Sequence, residues 1–339
     1  MTSSALGVNF DDDALERSVA AGMELVEDGL RAAVASDDPF VGEAARYLVE
    51  AGGKRFRPLM TLLAAHCGVP ETANAANAIN QDVIDAAVVC ELTHLATLYH
   101  DDVMDEAEVR RGAPSANARW DNTLAILTGD FLFSRASNLV AGLGPDAVRL
   151  QATTFERLVL GQIHETAGPA VGVDPIEHYL SVLADKTGSL IATAAEFGVR
   201  FAGGDEATIA ALRDFGEQYG LAFQISDDIL DIASESDQSG KTPGTDLREG
   251  VPTLPVLYVL RGSDPADDRL RRLVSGPIKG EVDVAEALRL LRASSALDQA
   301  RATLADYAGR ARKAVSGIGN DRLAAAFDAL LDHVVSRTG

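Results

Sequence analysis

Apolar residues recur three and four positions apart along almost the whole chain of 339 residues, and this spacing constrains the fold more than any other feature. Side chains at these separations share one face of an α-helix, whereas a half-buried strand alternates every second residue. No alternating stretch is long enough to make a convincing strand. Alanine, leucine and valine supply most of the apolar residues, and the first two are strong helix formers. The sequence therefore predicts an all-α protein, with one large domain or two modest ones.

Glycine and proline divide the chain into helical segments. Residues 1–12 are expected to form a flexible acidic leader, and DDDALERSVAAGMELVEDGLRAAVA then reads as an amphipathic helix with acidic residues in its first turn. Further helices are expected at about 41–51, 55–67, 72–105, 115–141, 145–167, 175–203, 206–234, 252–261, 282–315 and 320–336. None of the intervening loops has the composition of an interdomain linker.

The charge balance limits what the protein can bind. The chain carries 51 acidic and 30 basic residues and a formal charge of -21, which argues against a nucleic acid partner, because phosphate backbones need a basic face. Cys67 and Cys90 lie inside apolar helical patterns and are expected to be reduced. The N-terminus is acidic, and no apolar run reaches about 18 residues. We expect a soluble cytoplasmic protein.

One short acidic motif occurs twice. DDVMD at 101–105 and DDILD at 227–231 each follow a long apolar helical run. The first and last aspartates of each motif share a helix face, near a helix C-terminus where the macrodipole disfavours negative charge. A bound cation offsets this cost, and Mg2+ is usually held by one or two carboxylates together with phosphate oxygens. A single motif is as readily a solvated helix end, but two copies favour metal sites at the mouth of an apolar cavity.

Two basic clusters complement the aspartates. GGKRFRP covers residues 52–58, and RRGAPSAN follows the first acidic motif at residues 110–117. Arginine presents a planar fork that matches phosphate oxygens, and cations at a helix N-terminus oppose the macrodipole unless an anion lies between them. The alternative is a loop at a helix start with incidental basic residues. In a chain with so few cations, the clustering favours a phosphate-binding role.

Six motifs in the same order give the sequence a family resemblance. It resembles the trans-isoprenyl diphosphate synthases, the polyprenyl synthetase family, in GGKRFRP, HDDVMDEAEVRRG, GDFLFSRA, DKTGSL, FQISDDILD and GKTPGTDLREGVPTLP. The match runs from about residue 40 to the end of the chain. The resemblance implies a single bundle of mostly antiparallel helices around a deep central cavity, covering residues 13–339 and usually found as a homodimer. It also implies a Mg-dependent prenyltransferase, which joins isopentenyl diphosphate head to tail to an allylic diphosphate and touches membranes at most peripherally, for product release.

The resemblance assigns a role to each matching position. The Mg2+ ligands that it implies are Asp101, Asp105, Asp227 and Asp231, with Asp102 and Asp228 beside them and three ions in all when the allylic diphosphate is bound. The residues implied for isopentenyl diphosphate are Lys54, Arg57, His94 and Arg111. Those implied for the allylic diphosphate and its leaving pyrophosphate are Arg110, Lys186, Thr187, Gln224 and Lys241. The implied catalytic set is Asp101, Asp102, Asp105, Arg110, Lys186, Asp227 and Asp228.

His94 matches the family pattern, whereas the residue after Gly250 departs from it. By its helical surroundings alone, His94 would be a helix histidine with one polar contact, but its place seven residues before Asp101 matches the family and favours a ligand role. Many members carry a lysine directly after the glycine of the last motif, and here Gly250 is followed by Val251 and Pro252. The diphosphate contact of that lysine is therefore absent, and no substitute is assigned.

The implied chemistry needs no side-chain nucleophile. Mg2+ and cationic residues stabilise the negative charge of the departing pyrophosphate, the isopentenyl double bond attacks C1 of the allylic cation, and a proton is lost. These motifs contain no obvious histidine or glutamate base. The departed pyrophosphate is therefore expected to take the proton.

Residues upstream of the first acidic motif bear on product length. In this family the side chains four and five positions before the motif help to set the cavity floor, and bulky aromatic residues there stop elongation early. The corresponding residues here, and those a turn deeper, are not aromatic: Thr97, Ala96, Thr93 and Leu92. The first motif also lacks the two-residue insertion of many bacterial short-chain enzymes. These features favour an all-trans product of roughly six to ten isoprene units (about C30 to C50), of the kind used as quinone side chains.

Three alternatives remain open. If Ala96 and Thr97 only permit close helix packing and a bulky residue on another helix blocks the cavity, the protein is a short-chain geranylgeranyl or farnesyl diphosphate synthase. A class I terpene cyclase shares one aspartate-rich helix and the carbocation chemistry, but it normally lacks a cluster for a second diphosphate such as GGKRFRP. A non-catalytic partner subunit would have lost aspartates or arginines, and both acidic motifs are intact here.

Overall fold

The protein is almost entirely helical. The computed structural model describes residues 8–70, 78–233 and 243–338. In chain order the α-helices are α1 (Asp13–Ala33), α2 (Pro39–Glu50), α3 (Phe56–Ala65), α4 (Gln81–Met104), α5 (Ala116–Arg119), α6 (Asn122–Gly142), α7 (Pro145–Ala167), α8 (Pro175–Leu183), α9 (Ser189–Phe201), α10 (Glu206–Ala233), α11 (Thr245–Glu249), α12 (Leu254–Arg261), α13 (Asp268–Leu273), α14 (Glu281–Ala293), α15 (Ser295–Val315) and α16 (Asp321–Ser336). The all-α prediction is confirmed. None of the helices in the described ranges is long and apolar enough to cross a membrane.

Shorter elements connect some of these helices. A π-helix covers Ala184–Gly188, and 3-10 helices cover His66–Gly68 and Pro265–Asp267. The strands β1 (Val109–Arg110) and β2 (Ala113–Pro114) form an antiparallel pair. A ladder of two residues per strand is too short to show an alternating pattern, so the sequence had predicted only a loop here.

Short polar side chains begin several of the helices. Each accepts a hydrogen bond from a backbone N–H of the first turn, which has no partner within the helix. The residues that do so include Asp12, Asp38, Asn80, Asp121 and Asp174. Proline follows Asp38 and Asp174, at a position where its missing N–H costs no hydrogen bond. These helix starts are therefore encoded locally.

Several predicted helices are divided in the structure. The segment expected at 115–141 breaks at Trp120, after which the carboxylate of Asp121 starts α6. The segment expected at 175–203 contains the π-helix, and the segment at 282–315 breaks at Ser294, whose backbone is extended. In the segment expected at 72–105, α4 begins at Gln81, and residues 71–77 lie outside the described residues.

Residues 8–12 belong to the segment that was expected to form a flexible leader, and in the structure they contact α1 and α16. Val8 and Phe10 are buried, and the backbone N–H of Phe10 donates to Oε1 of Glu16 over 2.9 Å. Asp12 caps α1 and accepts from Nε of Arg322 over 2.9 Å. Burial of these two apolar side chains favours this arrangement, and the acidic composition did not indicate it. Residues 1–7 lie outside the described residues.

The described chain forms two compact units. The first takes its residues from Met1–Glu156, Leu190–Gly216 and Val315–Ala326, and the second from Arg157–Ser189, Glu217–Ala314 and Phe327–Gly339. In the first unit, α4 is buried along most of its length, and a Cβ atom on Gly129 of α6 would lie 3.0 Å from the carbonyl oxygen of Ala96. In the second unit, aliphatic side chains such as Ile232, Leu247 and Leu291 form a common core.

Candidate active site

The first aspartate motif lies at the end of α4, as the sequence predicts. The helix ends at Met104, and the backbone N–H of Asp105 donates to the carbonyl oxygen of Asp101. Asp102 is fully buried and accepts a hydrogen bond of 2.6 Å from Nε of Arg110. Nη2 of Arg110 lies 4.0 Å from Oδ2 of Asp105. The arginine therefore lies among the aspartates that precede it and offsets part of their mutual repulsion.

The strand pair positions Arg110 and Arg111. β1 contains Arg110, and Arg111 follows it in the turn with a φ of 54°. Tyr47 donates from its hydroxyl to the carbonyl oxygen of Pro114 over 2.7 Å, and this bond ties β2 to α2. Both guanidinium groups are thus positioned by a hydrogen-bonded turn that is tied to α2.

Arg111 is held against the glycines of the GGKRFRP cluster. Its Nη1 donates to the carbonyl oxygen of Leu48 over 2.9 Å and to that of Gly52. Gly53 has a φ of 134°, and a Cβ atom there would lie 2.7 Å from Cζ of Arg111. Because so short a contact forces one partner to move, only glycine lets the backbone approach this guanidinium. The two predicted basic clusters therefore meet at one place.

His94 of α4 lies among arginines and is neutral near pH 7. Burial, followed by the charges of Arg57 and Arg111, lowers the pKa of its imidazole well below 6.5. Burial also lowers the pKa of Arg57, and the charge of Arg111 acts in the same direction. Nε of Arg57 is buried and has no hydrogen-bond partner in the part of the chain that the structure describes. Positive charge is therefore concentrated around His94, and a bound anion would offset it.

Arg55 stabilises the fold through ion pairs with two carboxylates of the first unit. The sequence could not show these contacts. It is 6% exposed and donates to Oε1 of Glu27 over 2.6 Å and to Oε1 of Glu91 over 3.1 Å. It also donates to the carbonyl oxygen of Val49 over 2.7 Å. Lys54, which the sequence assigned to the ligand site, is exposed next to it.

The second aspartate motif lies in the last two turns of α10. Asp228 is buried and accepts hydrogen bonds from the hydroxyl of Tyr179 over 2.5 Å and from Nε2 of Gln224 over 3.0 Å. Burial raises the pKa of the Asp228 carboxyl to about 7, against the effect of these two hydrogen bonds. Gln224 accepts in turn from the hydroxyl of Thr187 over 3.4 Å. The structure thus brings Asp228, which the resemblance placed beside the metal ligands, together with Gln224 and Thr187, which it assigned to the allylic diphosphate. It adds Tyr179 to this group.

Two further contacts of this motif come from residues to which the sequence gave no role. Nη2 of Arg337, near the C-terminus, lies 2.8 Å from Oδ1 of Asp227. Asp231 accepts from the backbone N–H groups of Thr245 over 3.2 Å and of Asp246 over 3.3 Å, in the first turn of α11. These donors and the arginine stabilise the negative charge that clusters at the end of α10.

Two lysines were assigned to the allylic diphosphate. Lys186 lies in the π-helix, and its Nζ donates to Oε2 of Glu165 over 2.5 Å. Lys241 lies outside the described residues. Val251, at the position where the family often carries a lysine, is 41% exposed.

The residues predicted to control product length lie on α4. Ala96, Thr93 and Leu92 are buried, and Thr97 is partly exposed. The carbonyl oxygen of Ala96 lies at the close approach of Gly129 on α6. α4 and α6 therefore pack closely beside buried Ala96.

The carboxylates of the described residues do not enclose a metal ion on their own. Among residues 8–70, 78–233 and 243–338, no three His, Cys, Asp or Glu side chains are arranged to hold an ion. Mg2+ usually keeps several waters and binds one or two carboxylates together with substrate phosphates. Oδ2 of Asp102 is buried and lacks a hydrogen-bond partner among these residues, so it is a hard oxygen donor with unused capacity.

Known proteins of one family are similar to this chain along almost its whole length. A family model described as polyprenyl synthetase matches residues 38–291. A nonaprenyl diphosphate synthase from Mycobacterium tuberculosis is 50% identical over 333 residues, which cover 98% of this chain and 97% of the relative. The crystal structure of geranylgeranyl pyrophosphate synthase from Corynebacterium glutamicum, complexed with calcium and isoprenyl diphosphate, is similar with a TM-score of 0.87 and 44% identity over 98% of this chain and 100% of that one. A decaprenyl diphosphate synthase from Rhodobacter capsulatus is similar with a TM-score of 0.84 and 33% identity over 96% and 99% of the two chains.

Proposed function

The chain belongs to the polyprenyl synthetase family, and we infer from this membership that it is a trans-prenyltransferase, which condenses isopentenyl diphosphate head to tail with an allylic diphosphate. The observation that carries this conclusion is that α4 and α10 each end in an aspartate motif with an arginine beside it. A transfer between two diphosphates needs carboxylates for metal ions and cations for phosphate oxygens. Both kinds of group are present at both helix ends.

We propose that isopentenyl diphosphate binds at the cluster formed by Lys54, Arg57, His94 and Arg111. The guanidinium groups of Arg57 and Arg111 match phosphate oxygens bidentately. Neutral His94 offers one N–H that can donate to an anion. The lowered pKa values of Arg57 and His94 support this proposal, because both reflect burial together with nearby positive charge that a bound anion would offset.

We propose that the allylic diphosphate and its leaving pyrophosphate are contacted by Arg110, Lys186, Thr187, Gln224 and Lys241. The placement of Arg110 among the aspartates of the first motif supports this assignment. The hydrogen bond between Thr187 and Gln224 supports it as well, because it links the π-helix to the second motif.

We propose that Mg2+ binds Asp101, Asp105, Asp227 and Asp231, with three ions present when the allylic diphosphate is bound. The donors are hard carboxylate oxygens, and buried Oδ2 of Asp102 has no partner among the described residues. The Corynebacterium glutamicum enzyme holds calcium and isoprenyl diphosphate together, which supports a divalent cation beside a diphosphate. When bound, Mg2+ would neutralise charge on the pyrophosphate as it leaves.

The proposed reaction assigns the charged side chains to the leaving group. Arg110 and Lys186 hold the pyrophosphate after the bond between C1 and oxygen breaks, because fixed cations stabilise the charge that develops there. The double bond of isopentenyl diphosphate then attacks electron-deficient C1, and a new carbon–carbon bond forms. We propose that a pyrophosphate oxygen accepts the proton that is lost.

The lowered pKa of His94 supports this choice of proton acceptor, because such an imidazole is a poor base. Replacement of each ionisable residue of the site tests it. A variant that abolishes turnover while both diphosphates still bind would identify a protein base instead.

We propose a long-chain product of roughly six to ten isoprene units. The small residues Ala96 and Thr97 support this length, as do the nonaprenyl and decaprenyl synthases among the relatives. The similarity to a geranylgeranyl pyrophosphate synthase makes a short-chain product the second candidate. Chromatography of the products decides between the two.

We propose that the protein acts as a homodimer. Large apolar side chains are exposed on α6 at Leu127 and on α7 at Val159, Leu160 and Ile163. Their burial in an interface would gain about 25 cal/mol per Å2 of apolar surface. Light scattering is expected to show a dimer for the wild type and for Val282→Glu on α14, and a monomer for Leu127→Glu. A monomeric wild type would contradict the proposal.

We propose the cytoplasm as the location, with at most peripheral contact with a membrane when the product is released. Cys67 and Cys90 are free thiols, and burial raises the pKa of each to about 12, so both are kept in the protonated, unreactive form. A reducing compartment suits such a pair. The net charge of -21 supports the absence of a nucleic acid partner.

Calorimetric titration of the two diphosphates tests the assignment of the sites. Arg57→Met is expected to weaken isopentenyl diphosphate binding by about tenfold or more, because a charge-assisted bidentate contact is lost. Binding of the allylic diphosphate should stay within about twofold. Arg46→Met is the matched control, since Arg46 lies on α2 and pairs with Glu50 of the same helix. An equal loss for both ligands would refute the assignment.

A further inference from the structure

The π-helix Ala184–Gly188 lies against one face of α7. Three residues of α7 spaced four apart, Arg157, Gly161 and Glu165, approach it. Residues at this spacing lie above one another on a helix, so they form a continuous stripe. Glu165 at one end of the stripe accepts from Nζ of Lys186. π-Helices are rare and occur frequently at functional sites.

Arg157 connects the π-helix to its neighbours through a small network of ion pairs and hydrogen bonds. Its Nε donates to Oδ1 of Asp185 over 2.8 Å, and its Nη2 donates to the carbonyl oxygen of Ala184 over 3.2 Å. Nη2 also donates to Oε1 of Glu217 on α10 over 2.8 Å. Burial acts against the charged form, but the two carboxylates outweigh it and raise the pKa of Arg157. One guanidinium therefore connects two successive residues of the π-helix to α7 and α10.

Glycines bring the backbone of the π-helix close to both neighbouring helices. A Cβ atom on Gly161 of α7 would lie 2.9 Å from the backbone nitrogen of Lys186. A Cβ atom on Gly188 would lie 3.3 Å from the carbonyl oxygen of Glu217 and 3.1 Å from Cδ1 of Leu221. The segment is thus packed on two sides, and Arg157 contacts it through Asp185 and the carbonyl oxygen of Ala184.

We propose that Arg157 is a positioning residue for the transfer reaction, which holds the π-helix so that Lys186 and Thr187 meet the leaving pyrophosphate. The proposal rests on the function proposed above for those two residues. Asp185 directly precedes Lys186, so a shift of the Asp185 backbone carries Lys186 with it. The planar fork of arginine specifies an orientation that a single point charge cannot specify.

Three substitutions on α7 test this role. Arg157→Met is expected to lower kcat/KM for the allylic diphosphate by about ten- to a hundredfold, because a misplacement of about 1 Å can cost about a hundredfold. Arg157→Lys should recover only part of this loss, because lysine lacks the fork. Arg149→Met is the matched control, since Arg149 is 77% exposed and pairs with Asp146 one turn away. The control should match the wild type.

Hydrogen exchange supplies a readout other than activity. The backbone amides of residues 185–189 are expected to exchange faster in Arg157→Met than in the wild type and the Arg149→Met control, while affinity for isopentenyl diphosphate stays within about twofold. Unchanged kinetics and unchanged exchange would overturn the proposal. If Arg157→Met does not fold, Asp185→Asn removes the same ion pair and is judged by the same two measurements.

Lys186→Met separates this proposal from the one on which it rests. If Lys186→Met leaves the kinetics of the allylic diphosphate unchanged, the function proposed for Lys186 fails. If Lys186→Met lowers kcat/KM and Arg157→Met changes neither kinetics nor exchange, the site stands and only the positioning role is refuted.

Discussion

Gly53→Ala is predicted to displace Arg111 while the fold persists, and Gly52→Ala separates this effect from backbone strain. Both glycines have a positive φ, 83° at Gly52 and 134° at Gly53, so alanine at either position costs about 1–3 kcal/mol. A Cβ atom at Gly52 meets nothing within 4 Å, whereas at Gly53 it would lie 2.7 Å from Cζ of Arg111. Since ordinary contacts begin at 3.4 Å, the guanidinium must retreat by about 0.7 Å.

Steady-state kinetics measures the consequence of this retreat. Arg111 is a proposed ligand of isopentenyl diphosphate, and a misplacement of about 1 Å can cost about a hundredfold, so Gly53→Ala should lower kcat/KM for that substrate by about ten- to a hundredfold. The value for the allylic diphosphate in Gly53→Ala, and both values in Gly52→Ala, should change by less than about threefold. Equal kinetics in the two variants would refute the reasoning.

Three further predictions concern product length, stability and pH. Ala96→Phe is expected to shorten the product, at a cost of about 1–3 kcal/mol for overpacking a buried site, and unchanged product chromatography would place the cavity floor elsewhere. Arg55→Met should lower the free energy of unfolding in urea by about 3–5 kcal/mol, because it leaves Glu91 buried without its cation, and a loss below about 1 kcal/mol would contradict this. Burial lowers the pKa of the His66 imidazole from 6.5 to about 4, so between these pH values the unfolded chain binds a proton that the folded chain does not. The free energy of unfolding is therefore expected to fall by about 3 kcal/mol as the pH drops from above 6.5 to 4. His66→Leu should remove that contribution, and a difference in unfolding free energy from the wild type that does not vary with pH would contradict the assignment.

Features with local signals could be predicted from the sequence. The spacing of apolar residues predicted the helices, and the end of each apolar run predicted where the aspartate motifs lie, since α4 ends at Met104 and α10 at Ala233. The sequence did not predict that Arg111 contacts the glycines of GGKRFRP. It did predict that both basic clusters bind phosphate, because the chain has few cations.

Contacts between distant parts of the chain could not be predicted. Arg157 reaches Glu217 over 60 positions, and Arg55 reaches Glu91 over 36 positions. The neighbours of an arginine in sequence do not tell which carboxylate it will meet, because tertiary packing decides that. For the same reason, the acidic composition of residues 1–12 did not indicate that Val8 would be buried.

Incubation of the purified chain alone with labelled isopentenyl diphosphate, an allylic diphosphate primer and Mg2+, followed by chromatography of the products, tests the central claim most directly. We expect all-trans polyprenyl diphosphates of roughly six to ten isoprene units, and no incorporation of label after chelation of the metal or in Asp101→Asn. A cyclic hydrocarbon product, or incorporation that begins only when a second protein is added, would contradict the account.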